Sequence, residues 1–110
     1  MISLDDFEKV DIRSGTIIDV QDFPDARKPA YRLTIDFGVE IGTKKSSAQI
    51  TVHYNKEELV NKQVVAIVNF PPKQIANFFS ECLILGVYDD QNNVILLKPD
   101  KAVSNGQRIG

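Results

Sequence analysis

Asn55-Lys56-Glu57-Glu58-Leu59-Val60 decides how these 110 residues are read, because it is a short helix signal set between two stretches of β periodicity. Asn55 is a preferred N-cap, and Glu58 stands three positions on, the spacing at which side chain and backbone satisfy each other's unpaired N–H groups. Upstream the pattern predicts three strands. Val10, Ile12, Ser14, Thr16, Ile18 and Val20 share one face of a long first strand, Asp11, Arg13, Ile17 and Asp19 the other, and Gly15 invites a bulge or bend in its middle. Phe23-Pro24-Asp25-Ala26 reads as a turn, after which Tyr31, Leu33, Ile35 and Phe37 alternate with Arg32, Thr34 and Asp36. Gly38 and Gly42 bracket the next turn. Ala48, Ile50, Val52 and Tyr54 then alternate with Ser47, Gln49, Thr51 and His53, predicting a third strand over 47–54. Downstream, Val64–Val68 and Cys82–Val87 predict two more strands, and a turn at Asp89–Asn93 leads to a sixth, Val94–Leu97. Ser3 with Asp6 repeats the capping spacing and predicts a helix from Leu4 to Lys9.

Three meandering strands, a helix and two further strands is the order of an OB-fold, a mainly β, five-stranded Greek-key barrel whose exposed face and loops bind oligonucleotides. Residues 1–110 form one such domain, large enough to bury roughly two thirds of its unfolded surface without staples. The first helix and the last strand are not needed by that barrel. Short helices and apolar terminal extensions on so small a body predict a protomer interface, most simply a two-fold homodimer.

The chain has one cysteine, Cys82, inside an apolar strand, where a small buried hydrophobe is expected rather than a nucleophile. The start Met1-Ile2-Ser3-Leu4-Asp5-Asp6 lacks the basic and apolar regions of a signal peptide, and no apolar run approaches the roughly 18 residues of a membrane span. A cytoplasmic protein that does not insert into membranes is expected. Its only histidine, His53, lies on a predicted strand without a partner, so no general base is in place and an enzyme is not expected. One His and one Cys far apart make no zinc site, no glycine-rich phosphate loop appears, and Asp89-Asp90-Gln91-Asn92-Asn93 lacks the glycine and final glutamate of a calcium loop. No metal or other cofactor is implied.

Charge is uneven. Residues 1–25 hold seven carboxylates against two cations, a net −5, whereas residues 26–80 hold eight cations against four carboxylates, a net +4, within a total of −2. A locally basic surface can meet phosphates despite an acidic total. The stretch Asn69-Phe70-Pro71-Pro72-Lys73-Gln74-Ile75-Ala76-Asn77-Phe78-Phe79-Ser80-Glu81 adds a polar loop, since Pro71 cannot donate to a ladder and Pro72 forces its predecessor extended. RNA recognition needs cations, amides and a flat ring. Arg13, Lys44, Lys45 and Lys73 supply charge, Gln49, Asn69 and Gln74 hydrogen bonds, and Phe70 or Phe78 a ring, with Ser80 and Glu81 at the loop's end. Glu81 is expected to hold a neighbouring lysine or to accept from a base or sugar. Phe70, Phe78 and Phe79 are candidates for an apolar peptide groove, with at least one of the three expected in the core.

Several of these segments, taken in order, resemble one family. Asp11-Ile12-Arg13-Ser14-Gly15-Thr16-Ile17, Phe23-Pro24-Asp25-Ala26-Arg27, Ser46-Ser47-Ala48-Gln49-Ile50-Thr51, Asn69-Phe70-Pro71-Pro72-Lys73-Gln74-Ile75, Ser80-Glu81 and Asn105-Gly106-Gln107-Arg108-Ile109-Gly110 are similar to the tRNA-binding domain family, found at the ends of some aminoacyl-tRNA synthetases and as free-standing dimers. Phe23 to Ala30 and Ser46 to Thr51 resemble its export-related chaperone branch in particular. The resemblance implies an OB-fold homodimer that binds tRNA by shape and holds unfolded polypeptides or preproteins, with the secretion machinery as a further partner. The alternative it implies is a stand-alone tRNA-binding module that acts with synthetases and has no chaperone role. Cys82-Leu83 departs from the family's Gly-Met after Ser-Glu, and Asn77 replaces a loop glycine, a place where Asn tolerates positive φ.

Overall fold

In the computed structural model, which describes residues 1–110, the strand β1 (Ile12–Asp22) is the spine of the molecule. Its first half pairs antiparallel with β4 (Gln63–Ile67) and its second half with β2 (Tyr31–Asp36). A strand shared this way must bend. The bend is a register shift between Ile17 and Asp19, which leaves Ile17 wholly buried and its neighbour Ile18 46% exposed. The bulge therefore lies beyond Gly15, where the sequence placed it. Gly15 instead permits close approach, because a Cβ there would stand 2.8 Å from Ile35 Cγ2 and from the Phe37 ring.

The third strand is also displaced from its predicted position. β3 spans Thr43–Ala48, paired with β2 from Asp36 opposite Thr43 to Tyr31 opposite Ala48. Gly38 and Gly42, at φ +90° and +82°, fold the connecting turn tightly, with Phe37 N–H donating to Gly42 O at 3.0 Å. Pairing thus starts at once and ends with Ala48. The alternation over 49–54 belongs to a non-repetitive segment in which Ile50 reaches the core.

Both capping boxes form as predicted, Ser3 with Asp6 on α1 (Leu4–Glu8) and Asn55 with Glu58 on α2 (Lys56–Leu59). Leu59 is wholly buried, and Asn61 N–H donates to Ile17 O at 2.8 Å, so α2 seats against the bulge of β1. The core is Ile17, Leu33, Ile35, Phe37, Ile50, Leu59, Val64, Ala66, Val68 and Cys82.

Residues 69–81 are not a plain loop, since they contain the hairpin β5 (Lys73–Ile75) and β6 (Phe78–Ser80). Its turn places Ala76, rather than Asn77, at positive φ, +53°. The predicted strand over 82–87 is two pieces, β7 (Leu83–Ile84) and β8 (Gly86–Tyr88), because Leu85 N–H donates to Val65 O while Leu85 O accepts from Leu97 N–H. β7 stays with β4, whereas β8 pairs with β9 (Val94–Leu96) in a separate hairpin.

The main sheet runs β3-β2-β1-β4-β7, and residues 80–82 close it into a nearly complete barrel. Glu81 N–H donates to Lys45 O at 2.7 Å and Lys45 N–H donates to Glu81 Oε1 at 2.9 Å. Ser47 N–H donates to Ser80 Oγ at 3.2 Å, and Ser46 Oγ donates to Cys82 O at 3.2 Å. Side chains here take the place of ladder carbonyls, blunting the edge of β3. The C-terminal extension returns to β1, with Ser14 N–H donating to Gln107 O and Ile109 N–H to Ile12 O.

Candidate nucleic-acid interface

Alternation along β3 sends the two adjacent lysines to opposite faces. Lys45 stands opposite Thr34, which stands opposite Asp19, and Ser47 stands opposite Arg32, which stands opposite Gln21, so these residues form a polar outer plateau across three strands. Lys44 instead shares the face of Ile35 and lies near Cys82. Burial pushes the Cys82 thiol up to about 12, against the opposing pull of Lys44, so this cysteine is a neutral core group.

Beside the plateau lies an open groove of about 1150 Å³ between the end of β3, the proline segment and the β8–β9 hairpin. Ile50, Leu83, Ile84, Val94 and Leu96 line it with apolar surface, and Lys28, Lys73, Gln49 and Phe70 supply cations, an amide and a ring. Phe70 is 51% exposed, available for stacking or for an apolar side chain.

The structure brings only some of the predicted residues together. Gln49, Phe70, Lys73, Ser80 and Glu81 all line the groove, and Lys45 adjoins it through the seam. The side chains of Ser80 and Glu81 are engaged by the backbone of β3, so Glu81 accepts from the Lys45 amide rather than from a lysine ammonium. Gln74 donates to Ala76 O inside its own hairpin. Asn69 accepts from Asp11 N–H at 3.0 Å and donates to Lys9 O at 2.8 Å, which pins the entry to β1. Arg13 pairs with Asp11 at 2.6 Å and donates to Gly106 O at 2.9 Å, holding the C-terminal segment. Phe78 packs edge-to-face on buried Phe23, ring centroids 5.4 Å apart, with the Arg32 guanidinium over Phe23; Phe79 is exposed and does not line the groove.

Sequence reasoning missed Lys28 and Arg32 as members of this surface. Both were counted in the basic segment, but only the register of β2 with β3 and the path of the 23–30 turn show which way they face. His53, expected on a strand without a partner, lies in the segment after β3 with Nε2 2.6 Å from Asp89 Oδ2. Backbone N–H donation from Asn93, then the His53 bond, holds the Asp89 carboxyl below the usual carboxylate range.

No group of three or more His, Cys, Asp or Glu side chains is placed to hold a metal ion, and no helix is long and apolar enough to cross a membrane. The groove combines cations, an amide, a ring and an apolar floor, which is equipment for binding.

Residues 12–108 match the family described as "Putative tRNA binding domain". Over 108 residues the chain is 41% identical to a methionine–tRNA ligase of Thermococcus onnurineus, an alignment that covers 98% of this chain and 14% of the ligase. The chain therefore spans about one seventh of that curated relative's length. The crystal structure of a CsaA chaperone protein from Picrophilus torridus has a TM-score of 0.94 at 55% identity, with 100% of both chains covered. That of the chaperone CsaA from Bacillus anthracis has a TM-score of 0.94 at 49% identity, covering 100% of this chain and 99% of the other.

Proposed function

Because the chain belongs to the tRNA binding domain family, we propose that it acts as a cytoplasmic, homodimeric tRNA-binding protein that also chaperones unfolded polypeptides, including preproteins awaiting export. The observation that carries this reading is the single groove in which an apolar floor meets a rim bearing Lys28, Lys73, Gln49 and Phe70. Phosphates are drawn to the lysines and a base or an apolar side chain to Phe70, while the polar plateau with Arg32 and Lys45 extends the surface an RNA can track. Likeness to the CsaA chaperone structures supports the polypeptide role. Exposed Met1, Ile2 and Leu4 in the N-terminal segment, and Val87, Tyr88 and Leu97 in and just after the β8–β9 hairpin, support a dimer.

tRNA affinity should fall with salt, with a log–log slope equivalent to a few released counterions. Lys73→Glu should weaken tRNA binding more than suppression of client aggregation, and Phe70→Ser the reverse. Phe70 is the suitable probe because it is exposed in the groove, whereas Phe78 supports Phe23. Salt-independent binding would refute the electrostatic part, and a monomer mass by light scattering at micromolar concentration would refute the dimer.

A second reading is a tRNA-binding module that serves aminoacyl-tRNA synthetases without a chaperone role. The methionine–tRNA ligase that is 41% identical to this chain over 108 residues favours it. Folded protein that binds tRNA but leaves aggregation of an unfolded client unchanged would select it.

A further inference from the structure

One wall of the groove, residues 49–53, is held by few bonds. None of the backbone hydrogen bonds outside the helices and strands involves Gln49–His53. Ile50 anchors the wall at its start by burial in the core. Tyr54 anchors its end, with Tyr54 O accepting from the Tyr31 hydroxyl at 2.8 Å and the Tyr54 hydroxyl accepting from Leu96 N–H at 2.9 Å. Between those anchors, Thr51, Val52 and His53 make a single side-chain hydrogen bond, His53 Nε2 to Asp89 Oδ2 at 2.6 Å.

Asp89 is a rigid partner for it. Its Oδ1 accepts from Gln91 N–H at 2.9 Å and Asn93 N–H at 2.8 Å, and its own N–H donates to Asn93 O at 2.8 Å, which fixes the carboxylate on the β8–β9 turn. Both tied segments line the groove, Thr51 and Val52 from one and Tyr88, Asn92 and Asn93 from the other.

We infer that the His53–Asp89 pair is a positioning device for the groove's ligand: it clamps the 51–53 tip to the β8–β9 turn and so presents the groove in one shape. This rests on the groove being the binding surface proposed above. Without the tie, a segment held by few bonds is mobile, and ordering it becomes part of the cost of binding. His53 is 37% exposed and outside the core, so its loss leaves the fold standing.

The test compares wild type, His53→Ala and His53→Gln, whose amide can still donate to Asp89. Backbone amide order parameters at 51–53 read the tie without any ligand, and dissociation constants are measured for a fluorescein-labelled tRNA transcript and for reduced, carboxymethylated lactalbumin. In His53→Ala, the order parameters at 51–53 fall while the melting temperature holds, and at least one probe binds roughly three- to tenfold more weakly. His53→Gln restores most of both. Unchanged order parameters in His53→Ala, or lower ones with unchanged affinity for both probes, overturn the inference while leaving the groove's role intact. Wild type that binds neither probe overturns the functional reading and this inference with it.

Discussion

Replacing Glu81 by Ala removes the carboxylate oxygen that accepts the Lys45 N–H at 2.9 Å, while the reverse bond, from Glu81 N–H to Lys45 O at 2.7 Å, stays in place. A hydrogen bond to a charged group contributes about 1.5–3 kcal/mol, and Glu81 is partly exposed, so water recovers some of that and the expected loss is about 1–2 kcal/mol. For a chain of this length that lowers the melting temperature by roughly 4–8 °C. Glu81→Gln keeps an acceptor oxygen at the same reach and should lose less than half as much. Thermal melts followed by circular dichroism give the stability, and hydrogen exchange at the Lys45 amide reports whether the seam has opened. A melting temperature for Glu81→Ala within about 1 °C of wild type, or equal damage from Gln and Ala, would refute the closure argument. Glu81→Gln should also keep tRNA affinity. If it lost affinity without losing stability, Glu81 would touch the RNA directly.

Gly15→Ala should destabilise by about 1–3 kcal/mol, because the added methyl meets Ile35 and Phe37 at 2.8 Å, and chemical denaturation would show no loss if the strands could separate to admit it. The Cys82 thiol should resist iodoacetamide in the folded protein at mildly alkaline pH and react only on unfolding. Its folded value, about 12, lies above the unfolded one, so its contribution to stability is complete below about pH 8.5 and is lost as pH rises toward 12, which urea melts across that range would detect. Asp6, held low by backbone and then side-chain bonds to Ser3, and Asp89, held low first by the Asn93 amide, work in the opposite sense. Their contributions are present above about pH 3.9 and fade as pH falls through the folded values, so Asp6→Asn should flatten the acid limb of a stability–pH profile.

Where a structural choice depends on residues three positions apart, the amino-acid sequence was sufficient. Ser3 with Asp6 and Asn55 with Glu58 form capping boxes wherever the chain is placed, and the alternation from Tyr31 to Phe37 marks one buried face of a strand. The order of those elements was enough to indicate the barrel. Alternation alone could not say where β3 stops, because Ile50 is buried by the core without any ladder to hold it, and the Gly38–Gly42 turn sets the pairing register instead. Nor could residue type separate a binding amide from a structural one. Asn69 joins Asp11 across 58 positions and Arg13 joins Gly106 across 93, and only the folded chain brings such partners within hydrogen-bond distance. Lys28, Lys73, Gln49 and Phe70 converge on one groove for the same reason: long-range packing, which no local pattern encodes, decides which polar groups are already satisfied and which are left facing a ligand.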